Sequence, residues 1–208
     1  MKDKFDGENP EEKIAHDIQV VESSLSEVRN PETRESLENL LAWAKHILEI
    51  INLDPLTGLY NRRILPRIRN FDAAVMIDMD DFKSVNDRFG HQVGDIVIQK
   101  MAKIIMNNTR ATDYPCHIGG DEFLVVFTNC DLEVVKARVT RILEQLSSTI
   151  VLPDFVTTTS AGIAANDGTR SLEEVIKLAD DALYASKAKG KNCITVHQDK
   201  IIRPNGTV

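Results

Sequence analysis

Aromatic residues are scarce: Phe, Trp and Tyr make up 5% of the 208 positions, so aliphatic side chains must build any core. Long apolar runs are missing as well. None approaches the roughly 18 residues that a membrane-crossing helix needs, and the longest, such as Phe123 to Phe127, suit buried strands. The segment Met1–Lys13 is charged from the start and lacks the apolar stretch of a signal peptide. Positive charge is in deficit, with 25 Lys and Arg against 32 Asp and Glu and a formal net of -7. Nucleic acid wants a basic face, which this balance does not supply. Cysteine is limited to Cys116, Cys130 and Cys193, an odd number without metal-ligand spacing, so reduced thiols acting as small core residues are expected. These absences argue against membrane insertion and nucleic-acid binding and point to the cytoplasm. They leave enzyme and binding module equally open.

Hydrophobic residues amount to 42%, enough for one compact domain and an appendage at about 150 residues per domain. Ile14, Ile18, Val21, Leu25 and Val28 recur at helical steps, and after Asn30-Pro31 the pattern resumes at Leu37, Leu40, Ala44, Ile47 and Ile51. Leu41 and Leu48 widen that stripe. The 3.5-residue period predicts two helices, a hairpin or a coiled-coil segment, broken at Asn30 with Pro31 in a first turn. Such a stripe packs either within the chain or on a second copy. Residues 1–52 are therefore expected to be a helical dimerisation or signalling segment, 53–198 the main domain, and 199–208 a flexible tail.

Beyond Asp54 the pattern alternates between strands and helices. Ala73–Asp78 reads as a central strand, Val93–Met106 as a helix, and Pro115–Ile118 with Glu122–Thr128 as a hairpin turning at Gly119-Gly120-Asp121. Leu132–Leu146 and Leu172–Lys187 are expected helices, Phe155–Ala165 a strand, and Cys193–His197 a closing strand. A hairpin embedded among crossover helices predicts an α/β domain with a mixed sheet.

Two acidic clusters stand out: Asp78-Met79-Asp80-Asp81 at a strand end and Asp121-Glu122 at the glycine corner. Concentrated carboxylates repel, and a divalent cation that shares oxygen ligands with phosphates is the usual compensation. Solvated loops or helix caps would look the same. Lys187-Ala-Lys-Gly190-Lys191-Asn192 gathers positive charge at a helix end, suited either to a triphosphate or to the helix C-terminus itself.

The motifs together resemble the GGDEF family of diguanylate cyclases, over Asp54 to about Val196. They are Asp54-Pro-Leu-Thr-Gly-Leu-Tyr-Asn-Arg-Arg63, Asp78-Met-Asp-Asp-Phe-Lys-Ser-Val-Asn86 with Phe89-Gly90-His91 and Gly94-Asp95, and Gly119-Gly-Asp-Glu-Phe123. Ser160-Ala-Gly162 and Ala179-Asp-Asp-Ala-Leu-Tyr184 follow, with Lys187 and Gly190-Lys-Asn192. The resemblance implies a nucleotidyl-cyclase, palm-like domain that joins two GTP into cyclic dimeric GMP and two pyrophosphates across a homodimer interface. It implies Mg2+ (or Mn2+) on Asp78, the Met79 carbonyl and Asp121, with Asp121, Glu122 and Lys83 in catalysis. Asn86 and Asp95 would read guanine, whose paired N–H donors a carboxylate can accept and adenine lacks. Phe82, Gly119 and Gly120 would line the nucleotide, and Lys83, Lys187 and Lys191 would hold its phosphates. Arg110-Ala-Thr-Asp113, five residues before the glycines, matches a product-inhibition site in which Arg110 grips the cyclic dinucleotide and Asp113 orients it.

Three departures stand beside the resemblance. His117-Ile118 replaces the usual Arg and aromatic before the glycines, Ile64–Phe71 is shorter than the customary helix and loop, and Lys191 stands where Arg is common. Two rivals follow: a catalytically inactive module that binds GTP or the cyclic dinucleotide, and a coiled-coil interaction protein. Retention of Asp78, Asp121 and Glu122 favours the enzyme over the first, and the retained lysines disfavour the second.

Overall fold

The computed structural model describes residues 10–197 apart from 151, 154 and 156, with side chains described from Lys13 onward and Glu49 excepted. The expected tail at 199–208 lies outside the described residues. The chain divides between Leu53 and Asp54 into two compact units.

The first unit is a helical hairpin. Helix α1 (Pro10–Ser24) runs into a 3-10 turn at Leu25–Glu27, and α2 (Pro31–Ile51) begins at the expected proline. Asn30 Oδ1 caps α2 by accepting from the Thr33 amide at 3.0 Å. Ile18, Leu41 and Leu48 form the buried centre, with Ala15, Leu25, Ala44 and Ile51 around it. The expected single stripe on α2 resolves into two. Leu41, Ala44, Leu48 and Ile51 face α1, whereas Leu40, Trp43, Ile47 and Ile50 remain 65, 69, 42 and 53% exposed. Ile14 and Val21 on α1 are also exposed.

The second unit is a five-stranded mixed sheet in the order β2-β3-β1-β4-β5. Strand β1 (Ala73–Met79) is central and buried throughout, an apolar run broken only by Asp78 near its end. It pairs antiparallel with β3 (Glu122–Phe127) and with β4 (Thr159–Ala165). Strand β2 (Tyr114–Gly119) forms the hairpin with β3, and β5 (Ile194–Val196) adds parallel to β4. The expected strand from Phe155 starts later, at Thr159; Phe155 makes only an isolated bridge to Leu152. Helix α3 (Phe82–Phe89), hidden from periodicity by its eight residues, is followed by α4 (His91–Asn107), α5 (Leu132–Thr149) and α6 (Leu172–Ala188).

Alternation along the strands sends Val75, Ile77 and Met79 toward α4 and α5, where Met101, Ile105, Val139 and Ile142 complete one core. Ala74 and Met76 face the other way, toward Val175, Ala179 and Leu183 of α6. Gly162 lets α6 lie directly on β4, because a Cβ there would sit 2.1 Å from the Ala179 carbonyl and the Leu183 amide. The short segment before β1 forms a 3-10 helix, Arg62–Arg67, containing Pro66. Cys116, Cys130 and Cys193 are free, and burial pushes the Cys116 thiol up to about 12, as expected for an inert core residue.

Candidate functional site at the end of the central strand

Asp78 follows Met76 by two positions and so faces α6, where the last turn brings Lys187 Nζ to 2.7 Å from Asp78 Oδ1. In the sheet register Asp78 lies directly opposite Glu122, the residue after the glycine corner. Burial pushes the Asp78 carboxyl up; the Lys187 ammonium opposes that push, while the charge of Asp121 adds to it. Asp121 is likewise raised by burial and by Glu122, with Lys187 pulling it down. Strand β1 and the hairpin thus bring two strained carboxylates around one ammonium. Met79, the last residue of β1, is buried. Glu122 is exposed at the start of β3.

The neighbouring acids Asp80 and Asp81 have other partners. Asp80 is buried and fully engaged: it accepts from Thr158 Oγ1 at 2.6 Å, Ser160 Oγ at 2.8 Å and the Asn192 amide at 3.1 Å. It joins β1, β4 and the loop after α6. Asp81 holds Lys191 Nζ at 2.7 Å through both oxygens. Asp81, Lys191 and Asn192 all adopt positive φ, 59°, 67° and 49°. Backbone strain of this kind concentrates where surrounding structure over-determines a site.

Asn86 on α3 lies against Gly94 of α4, the residue before Asp95. A Cβ on Gly94 would lie 2.0 Å from Asn86 Oδ1 and 3.2 Å from the Phe82 ring. Phe82 is half-buried against the core; Lys83 and Asp95 are exposed. Gly119 and Gly120 have φ of 151° and 60° at an open turn with room for another molecule.

Arg110 and Asp113 lie apart from this cluster, on a cleft of about 220 Å³ shared with Tyr60, Met106, Thr109 and Pro115. Arg110 is exposed, whereas the Asp113 side chain is fully buried. Asp113 accepts from the Arg110 amide at 2.8 Å, the Thr128 amide at 3.2 Å and Arg138 Nη1 at 3.0 Å. Arg138 was invisible to motif reading because it stands 25 residues away on α5. Asp54 and His117 were likewise separate in sequence, yet Asp54 Oδ1 lies 2.9 Å from His117 Nδ1.

Among the described residues, no three His, Cys, Asp or Glu side chains form a ready-made metal cage. Two mutually repelling carboxylates beside a buried strand end nevertheless suit a hard divalent ion that completes its shell with water and phosphate oxygens. No helix among the described residues is long and apolar enough to cross a membrane.

The mixed sheet thus carries paired acids, a lysine and a glycine corner together at one end of its central strand. The chain belongs to the GGDEF family: the family profile described as "Diguanylate cyclase, GGDEF domain" matches residues 51–193. It is 33% identical over 157 residues to diguanylate cyclase DosC of Escherichia coli K12, covering 68% of this chain and 34% of that protein. It is 34% identical over 172 residues to the response regulator PleD of Caulobacter vibrioides, covering 72% and 37%. The chain thus spans about a third of the length of these curated relatives. The coiled coil and GGDEF domain of DgcB from Caulobacter crescentus, solved in complex with c-di-GMP, superposes with a TM-score of 0.69 at 28% identity. That likeness covers 83% of this chain and 99% of the DgcB chain.

Proposed function

We propose that this chain is a diguanylate cyclase that condenses two GTP into cyclic di-3′,5′-GMP and two pyrophosphates, each of two copies presenting one GTP to the other. The observation that carries this reading is the shared environment of Asp78, Asp121 and Lys187 at the end of β1. Asp78, the Met79 carbonyl and Asp121 would hold Mg2+ or Mn2+. The ion, when bound, lowers the pKa of a coordinated hydroxyl and offsets charge on phosphate oxygens. Lys187 already lies on Asp78; with triphosphate present its ammonium and those of Lys83 and Lys191 serve the β- and γ-phosphates. Asn86, kept in place by the absence of a side chain at Gly94, orients guanine together with Asp95. Glu122 helps to organise the site from the opposing strand.

The 3′-hydroxyl of one nucleotide must attack the α-phosphorus of the other, which a single half-site cannot align, so two copies must meet face to face. The helical hairpin of α1 and α2, with its exposed apolar seam, is the element suited to bringing them together. The cleft at Arg110 is where cyclic product would inhibit. Asp113, with its carboxylate already satisfied, acts there by fixing the Arg110 backbone rather than by meeting the ligand.

Incubation of the purified chain with GTP and magnesium, followed by nucleotide separation, tests this function. Cyclic di-GMP and pyrophosphate are expected. Intact GTP, with cyclic dinucleotide bound but never formed, would establish the inactive binding module instead.

A further inference from the structure

His117 lies on β2 two positions before Gly119, where its ring is buried and bridges two loops. Its Nδ1 lies 2.9 Å from Asp54 Oδ1 and its Nε2 lies 3.0 Å from the Gly120 carbonyl. The loop after Asp54 presents that carboxylate, the turn presents that carbonyl, and β3 presents the uncharged Phe123 ring at a centroid distance of 5.0 Å. Both ring nitrogens therefore face acceptors.

A neutral imidazole has one N–H and one lone pair, so either tautomer would set a lone pair against an oxygen. The carbonyl cannot donate. Asp54 is poorly placed to do so: against the upward push of burial, hydrogen bonds from Thr57 and His117 hold its carboxyl below the ordinary range. Thr57 donates to Asp54 Oδ1 through its amide at 2.9 Å and its hydroxyl at 2.7 Å. The doubly protonated ring satisfies every contact at once.

We propose that His117, with both ring nitrogens donating, is a positioning residue that ties the Gly120 carbonyl to the Asp54 carboxylate and so sets the glycine corner for turnover. The peptide plane that carries the Gly120 carbonyl also carries the Asp121 amide, so fixing one orients the other. Gly120 sits at φ 60°, where glycine has little conformational preference of its own, and the bridge supplies the constraint. An Arg at this position, as is usual in the family, would likewise donate more than once.

This inference rests on the cyclase reading for its kinetic consequence, but the bridge itself can be observed separately. In the ring-nitrogen NMR spectrum of the 15N-labelled chain at about pH 6, both nitrogens of His117 should carry protons. In GTP turnover, His117→Gln, which cannot donate to both acceptors, should lower kcat about 10-fold or more with KM for GTP little changed. His117→Arg, which still donates twice, should keep kcat near the native value. A single-tautomer ring signature at pH 6, or a His117→Gln kcat equal to the native one, would overturn the proposal. A native chain that forms no cyclic dinucleotide would overturn the cyclase reading and the kinetic half of this one, while the nitrogen spectrum still decides the bridge.

Discussion

At the scale of single residues, the site depends on two close approaches. The absent side chain of Gly94 makes room for Asn86, and a methyl there would collide with Oδ1 at 2.0 Å. Gly94→Ala should therefore raise KM for GTP about 10-fold or more while leaving the fold intact, since helical Ala is itself favourable; a GTP titration with circular dichroism checks both halves. Lys187 is the second case. Lys187→Met removes the ammonium that pulls the Asp78 and Asp121 carboxyls down against burial. Because Lys187 is more than a third exposed, the loss at neutral pH is about 1–2 kcal/mol rather than the full cost of a buried unpaired charge. A carboxyl raised in the folded state binds its proton more tightly there than when unfolded, so stability falls as pH rises through the raised value. The variant should accordingly be stabilised, relative to native, by lowering the pH from about 7 to about 5. Magnesium should restore it at pH 7, which thermal melts with and without the ion will show.

At the scale of elements, what was legible followed from period and punctuation. β1 and the hairpin around Gly119-Gly120 carry short apolar runs, and helices α4 to α6 carry a helical pattern, over enough residues to be read. Helix α3 was missed because its eight residues begin among acids that read as a loop, with Asp81 at φ 59° as the turn into it. The late start of β4 was missed because Phe155 and the threonines after it have strand propensity without a neighbouring strand to pair with. The acids, glycines and lysines of the site were readable from their motifs. Their partners were not, since Arg138, Thr158 and Ser160 meet Asp113 and Asp80 only through tertiary packing. Helix α6, which delivers Lys187, starts at a Ser171–Glu174 capping box. Ser171→Ala should cost about 1 kcal/mol and lower the melting temperature by about 2–4 °C in a domain of this size, as calorimetry can measure.

At the scale of the whole molecule, the hairpin has more apolar surface than its own packing uses. Leu40, Trp43, Ile47 and Ile50 repeat at steps of three, four and three on the side of α2 turned away from α1. The sequence pattern showed a stripe but could not divide it between an internal and an external face, because adjacent positions such as Leu40 and Leu41 belong to both periods. If that outer face joins two copies, Leu40→Glu with Trp43→Glu should shift sedimentation toward monomer and make specific activity rise with protein concentration. Native activity should hold constant over the same range.

The account stands on chemistry at the carboxylates that end β1 and open β3. Pyrophosphate release from GTP and magnesium, compared between the native chain and Asp78→Asn, tests it most directly. The native chain should release two pyrophosphates for each cyclic dinucleotide, and the variant, folded by circular dichroism, should be slower by about 10³-fold. A folded variant turning over at the native rate would contradict the account.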